Sequence, residues 1–243
     1  MEPTQSHHPI IPSFDHHIIL ASKSPRRQFL LGELGFKFEL LTKEVNEDFP
    51  SHLKAEEIPL FLCRKKADAF EHEIGPNTIV VTADTIVWIH DHVLNKPADE
   101  SEAETMLHEL SGNRHEVYTG VCLKSADKEI SFSVKSEVFF CELSLQDITH
   151  YIKSCKPMDK AGSYGAQECL KEGINPCSSE EIAFLKSIGK ESLIQNTIVS
   201  KAESSPGQHG RTGKFHCIEK IEGSYFNVMG LPIVELYSEL NKF

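Results

Sequence analysis

The stretch His17-Ile18-Ile19-Leu20-Ala21-Ser22-Lys23-Ser24-Pro25-Arg26-Arg27 decides the architecture. His17 to Ala21 is an apolar run of strand length. Ser24 then stands at a helix N-cap position, and Pro25 follows at the first helical residue, where a missing N–H does no harm. Phe29, Leu30, Leu31 and Leu34 supply an apolar stripe at helical spacing, and Gly35 sits where a helix ends. A strand therefore feeds a helix through a short loop, with two arginines in the helix's first turn. Together with the free N–H groups of that turn, Arg26 and Arg27 make a concentrated anion site whose natural guest is phosphate. A solvated basic pair is the competing reading.

Outward from this unit, strands and helices alternate. Phe36–Leu41 reads as a strand, and Ala55–Glu71 as a helix with Leu60, Cys63, Ala67 and Phe70 inward and Pro59 in its first turn. Thr78–Ala83 is β-branched without alternation of polarity, as in a strand covered on both faces, and it ends in Asp84-Thr85. A carboxylate at a strand end can hold a divalent cation or orient an attacking water; it can also simply open a turn. Next come a strand at Ile86–Ile89, a turn at Asn95-Lys96-Pro97 and a helix over Ala98–Leu110 stopped by Ser111-Gly112. Val117–Leu123 and Ser131–Cys141 form two long strands of a hairpin, and Ser144 with Asp147 resembles a capping box for a helix through Ile152. This order predicts an α/β fold with a mixed sheet.

Residues 171–214 differ, punctuated by Gly173, Pro176, Gly189, Gly207, Gly210 and Gly213, with one helix over Ser179–Ile188 and a tip at Ser204-Ser205-Pro206-Gly207. They read as an excursion from a single domain spanning 17–243, behind an N-terminal tail of residues 1–16. The chain then resumes with a strand at Phe215–Ile221, a turn at Glu222-Gly223-Ser224 and a closing helix over Leu231–Leu240.

The balance of 25 basic and 36 acidic side chains in 243 residues, a formal charge of −11, argues against a nucleic-acid backbone as partner. An anionic ligand must be met by a few concentrated cations. No apolar run reaches the roughly 18 to 20 residues a membrane span needs, and the first residues do not read as a secretory signal. The seven cysteines form no C-x-x-C pair, which suits reduced thiols and a cytoplasmic location. His7-His8, His16-His17 and His90-Asp91-His92 lack the spacing of a dedicated metal site. The chain has no G-x-S-x-G, P-loop, G-x-G-x-x-G or H-E-x-x-H motif.

Taken in order, Leu20-Ala21-Ser22-Lys23-Ser24-Pro25-Arg26-Arg27, Lys66-Ala67, Ala83-Asp84-Thr85-Ile86-Val87, Lys96-Pro97, Leu110-Ser111-Gly112 with His115, Asp159-Lys160-Ala161-Gly162-Ser163-Tyr164-Gly165, and Gly223-Ser224-Tyr225 to Gly230-Leu231-Pro232 resemble the Maf family. The match runs along almost the whole chain outside the tail and the excursion. The resemblance implies a nucleoside triphosphate pyrophosphatase that cleaves between the α and β phosphates and uses a divalent cation. It also implies a mixed α/β fold with two lobes around a cleft, related to the inosine triphosphate pyrophosphatases. By the same resemblance, Arg26, Thr85 and Gln167 occupy the positions that separate members acting on dTTP and UTP from those acting on 7-methyl-GTP.

The chemistry of the residues agrees. Ser22, Arg26, Arg27, Lys66, Lys96 and Lys160 would bind phosphate, Asp84 would be the general base for water, and Glu47 with Asp84 would hold Mg²⁺ or Mn²⁺. A departure follows Gln167: many relatives have glycine next and run almost directly into the last strands, whereas Glu168-Cys169 here begin the excursion. Its helix, residues 180–188, is expected at the cleft mouth as a lid or a subunit contact, the latter compatible with a homodimer; a decorative surface insertion is the alternative. The competing functions are pyrophosphatase action on 7-methyl-GTP or another modified nucleotide, and a nucleotide-binding regulator of cell division.

Overall fold

The computed structural model describes residues 15–171, 173–198 and 215–243. The glycine-rich tip at 204–207 and most of the N-terminal tail lie outside the described residues. One seven-stranded mixed sheet in the order β2-β1-β3-β5-β6-β7 organises the chain, with β4 pairing β3 off that path. The strands are β1 (His17–Leu20), β2 (Phe38–Leu40), β3 (Thr78–Ile89), β4 (His92–Leu94), β5 (Arg114–Lys124), β6 (Glu129–Phe140) and β7 (Ile218–Glu222). The α/β class with a mixed sheet is as the sequence indicates. Helix α1 (Pro25–Glu33) starts at Pro25, although the Ser24 side chain makes no capping bond, and Gly35 follows its end at φ 86°. Leu30, Leu31 and Leu34 are buried, whereas Phe29 is 44% exposed and leaves the expected stripe.

Strand β3 corrects the sequence reading most. The run does not end at Asp84: twelve residues from Thr78 to Ile89 continue unbroken, and Asp84 lies in the middle. Partnering explains this, because β5 pairs with β3 from Val80↔Lys124 to Trp88↔Glu116 and carries it past the polar pair, with Asp84 opposite Gly120. On its other edge β3 changes neighbour. It runs parallel to β1 up to Leu20↔Val81 and antiparallel to β4 from Val87↔Leu94. Residues 82–86 therefore have a strand on one side only, and a notch opens in the sheet. His90 and Asp91, at φ 48° and 62°, make the tight turn between β3 and β4.

Period-two alternation sorts β3 between two layers. Ile79, Val81, Ala83, Val87 and Ile89 join the main core with α1, α3 (Glu100–Leu110), α4 (Leu145–Cys155) and the closing helix α9 (Ile233–Leu240). Val80 and Ile86 face the opposite side, where Ile86 packs with Ile58 and Leu62 of α2 (Glu57–Asp68), and Thr82 donates to Cys63 O at 2.6 Å. The inward face of α2 is thus Ile58, Pro59, Leu62, Cys63 and Ala67, with Leu60 only half-buried. The capping box of α4 forms as expected. After a 3₁₀ turn at Ala161–Ser163, α5 (Ala166–Cys169) leads into the excursion, which holds α6 (Ser179–Ser187) and an unforeseen α7 (Glu191–Ile198). Phe215 N–H to Glu168 O at 3.0 Å and Cys217 N–H to Cys169 O at 3.1 Å pin its two ends together. A second unforeseen helix, α8 (Tyr225–Val228), separates β7 from α9. All seven cysteines are free thiols. No described helix is long and apolar enough to cross a membrane.

Candidate active site

The notch in β3 gathers the functional side chains from both faces of the sheet. Arg27 closes the open edge in place of a strand: its Nη1 donates to Ala83 O at 2.8 Å, Nη2 to Thr85 Oγ1 at 3.0 Å and Nε to Gly230 O at 2.8 Å. Its planar fork suits this task, since three acceptors in fixed directions are met at once. Burial pushes the guanidinium below its ordinary range, and neighbouring Asp84 opposes that shift. Arg27, expected on phosphate, thus spends two donors on the residues either side of Asp84 and a third on Gly230. Ser22, where β1 gives out, is buried and accepts from Ser24 N–H at 3.2 Å.

Asp84 faces the α2 side. Its Oδ1 accepts from Lys66 Nζ, and the same ammonium reaches Glu47 Oε1 at 2.8 Å. Lys66 is drawn so close because α2 rests directly on the sheet, where Gly120 offers no side chain beneath Pro59 and Leu60. Lys96, two residues beyond β4, lies 3.6 Å from Glu47 Oε2 and is 56% exposed. Burial alone would raise the Glu47 carboxyl, but the hydrogen bond and charge of Lys66, with Lys96 beside it, hold it below the usual range. These four residues form one chain of alternating charge.

A second group lies around the 3₁₀ turn. Lys160 is buried, with Nζ 3.0 Å from Asp159 Oδ1 and 3.7 Å from Glu168 Oε1, while Arg26 Nη1 lies 3.6 Å from Asp159 Oδ2. Burial raises the Asp159 carboxyl, and Lys160 and Arg26 outweigh it and pull it down. Tyr151 Oη donates to Glu168 Oε2 at 3.2 Å and accepts from Gly165 N–H at 2.9 Å. A Cβ at 165 would run into the Glu168 carboxylate, so glycine here is what lets that carboxylate stay beside Lys160. Gly162 N–H donates to Asn95 O at 3.2 Å, which ties this turn to the segment carrying Lys96. Gln167 is exposed on α5 beside Glu168.

The structure thus brings Asp84, Lys66, Glu47 and Lys96 together, and joins Arg26 with Lys160. The same notch holds Arg27 and Thr85. Arg26 and Glu47 both act on the Arg27 charge, which links the two groups electrostatically. The sequence reading did not single out Asp159 or Glu168 as the acids that hold this cation pair. An acid adjoining Lys160 in the chain was the available signal for Asp159, whereas Glu168 reaches Lys160 only through the fold of 160–168.

The family described as Maf-like protein matches residues 17–180. The chain belongs to the Maf family. A protein of Phocaeicola vulgatus named dTTP/UTP pyrophosphatase is 42% identical over 228 residues, covering 93% of this chain and 96% of the relative. A namesake from Parabacteroides distasonis is 38% identical over 94% of this chain and 96% of its own length. A solved nucleoside-triphosphatase / dITP/XTP pyrophosphatase from Mycobacterium abscessus aligns in part, at 16% identity and a TM-score of 0.34, covering 51% of this chain and 74% of that one.

Proposed function

We propose that this Maf protein hydrolyses nucleoside triphosphates, dTTP and UTP foremost, to the nucleoside monophosphate and pyrophosphate. The observation that carries the reading is Asp84, held at the β3 notch with one oxygen on Lys66, whose ammonium also meets Glu47. The names of relatives that align over nearly the whole chain supply the substrate class.

Arg26, Lys66, Lys96 and Lys160 are each engaged with carboxylates. A polyphosphate offers these cations stronger acceptors, and fixed positive charge of this kind stabilises the developing charge of phosphoryl transfer. Lys66 occupies Asp84 Oδ1, which leaves Oδ2 to take a proton from water attacking the α phosphorus. Arg27 holds the Ala83 carbonyl on one side of Asp84 and the Thr85 hydroxyl on the other, so the carboxylate is aimed before substrate arrives. Lys96, Arg26 and Lys160 would steady the departing pyrophosphate.

Asp84 and Glu47 converge on one ammonium and are hard oxygen donors, a set that fits Mg²⁺ or Mn²⁺ completed by phosphate oxygens and water. Among the described residues no trio of His, Cys, Asp or Glu could hold an ion alone, consistent with a shell completed by substrate. When bound, the ion supplies charge neutralisation at the phosphoryl oxygens. The exposed Gln167 and the hydroxyl of Thr85 are the proposed base-reading groups, alongside Arg26. The acidic balance and free thiols favour a free nucleotide as partner and the cytoplasm as location. The test is pyrophosphate release from dTTP, UTP, CTP and 7-methyl-GTP, with and without Mg²⁺ or Mn²⁺. dTTP and UTP are expected to lead, and Asp84→Asn to lose about 10²-fold or more in kcat while still binding nucleotide. Unchanged turnover by Asp84→Asn would remove the assigned base.

A further inference from the structure

We infer that Glu181, on α6 of the excursion and just beyond the family match, is a positioning residue that fixes Arg27 and Thr85 around Asp84 by holding α8 in place. The inference rests on the reading of Asp84 given above. Glu181 is 1% exposed, and every partner seen for its carboxylate among the described residues is a neutral donor. Oε1 accepts from Ser224 Oγ at 2.6 Å and Phe226 N–H at 3.0 Å. Oε2 accepts from Ser178 N–H at 2.8 Å and Tyr225 N–H at 3.2 Å. A buried carboxylate without a cation is tolerated where several N–H donors and a helix start face it.

Helix α8 needs that support. Four residues cannot sustain a helical turn on their own, and its opening N–H groups are met by Glu181 and, for Asn227 N–H at 2.9 Å, by Ser224 Oγ. Two carbonyls, one in its third residue and one just past its end, face the notch. Gly230 O takes Arg27 Nε–H, and Asn227 O takes Thr119 Oγ–H at 3.0 Å. The second bond fixes a direction. Thr119 has one hydroxyl proton and gives it to Asn227, so in the 2.9 Å contact between Thr119 and Thr85 the proton must come from Thr85. Thr85 Oγ1 is thereby turned to accept from Arg27 Nη2. An oriented run of hydrogen bonds joins Glu181 through α8 to both groups that flank Asp84.

The test compares Glu181→Gln, Thr119→Val, their double variant and Glu180→Gln, the last at the exposed neighbouring position. The readouts are kcat and KM on dTTP, thermal melting, and the NMR signal of the Arg27 Nε–H, which requires no substrate. A glutamine amide turns N–H donors toward N–H donors, so Glu181→Gln is expected to shift or broaden the Arg27 signal. It should also lower kcat about tenfold, worth ~1.4 kcal/mol of barrier, with little change in KM. Glu180→Gln should match wild type. The double variant should fall no further than Glu181→Gln, because Thr119→Val cuts only one of the two branches that α8 carries. Wild-type kcat with an unmoved Arg27 signal in folded Glu181→Gln would overturn the inference, as would losses that multiply in the double variant. If Glu181→Gln does not fold, Thr119→Val decides: it severs the branch to Thr85 without touching α6, and wild-type kcat there refutes the positioning of Thr85 that the inference requires. Absence of dTTP and UTP hydrolysis by wild type would instead fail the proposed function, while the Arg27 signal still reports on Glu181.

Discussion

Gly120→Ala should loosen the site by lifting a helix rather than by touching substrate. Gly120 pairs with Asp84 across β3 and β5, and α2 passes over it so closely that an added Cβ would lie 2.7 Å from Leu60 N and nearer still to Pro59 C and O. Those atoms are backbone and cannot rotate away. To reach ordinary contact distance α2 must recede by about 1 Å, and overpacking of this kind costs about 2–3 kcal/mol. In a domain of this size that lowers the melting temperature by about 5–10 °C. The same displacement draws Lys66 off Asp84, so kcat/KM should fall at temperatures where the variant is fully folded. Gly32→Ala supplies the opposite sign: its Cβ would meet only Phe38 at 3.9 Å inside α1, and a helical Gly→Ala change stabilises by about 0.5–1 kcal/mol. Calorimetry with steady-state kinetics on both variants is the assay. A Gly120→Ala protein with unchanged melting and unchanged kcat/KM would refute the account of how α2 positions Lys66.

Burial lowers the His115 pKa from 6.5 to about 3, and its Nε2 lies 2.7 Å from the Tyr164 hydroxyl. Because the unfolded chain takes up this proton first, stability should drop by about 1.4 kcal/mol per pH unit from this group as pH falls from 6.5 toward 3. His115→Gln should flatten that acid limb in urea titrations, and an equally steep limb would discount the histidine. For Glu47, whose pKa is lowered, the contribution is present above the ordinary glutamate range and fades as pH falls through the depressed value. Glu47→Gln should remove that dependence from thermal melts and weaken Mn²⁺ uptake, followed by water proton relaxation in the presence of nucleotide; unaltered Mn²⁺ uptake would take Glu47 out of the metal set. Gly165→Ala should expel the Glu168 carboxylate from beside Lys160 and raise KM for dTTP more than it lowers kcat, with a wild-type KM counting against Lys160 as a phosphate ligand.

Local signals in the sequence foretold local structure well. Pro25 after Ser24, the Ser144/Asp147 pair and Gly35 mark ends of helices that the structure contains. What needed partners was less legible. The polar Asp84-Thr85 pair looks like a strand end because nothing in the chain announces that β5 pairs straight past it with Gly120 beneath α2. Arg27 reads as a phosphate ligand until Gly230, 203 residues away, appears as its acceptor. Glu181 was overlooked although Ser178 stands three residues before it in capping-box spacing, and its contacts with Tyr225 and Phe226 are visible only in three dimensions. The residues around the notch could be named from their resemblance to a family; that Arg27 is tied to Ala83, Thr85 and Gly230 while Lys66 meets two carboxylates depended on contacts across the chain.

The bond between Arg27 Nε–H and Gly230 O carries a consequence for synthesis. A ribosome delivers the acceptor 203 residues after the arginine, so no nascent intermediate shorter than about 230 residues can close this clamp, however well its sheet has begun to form. A polypeptide released before residue 230 should therefore be inert toward nucleotides even when it is partly folded.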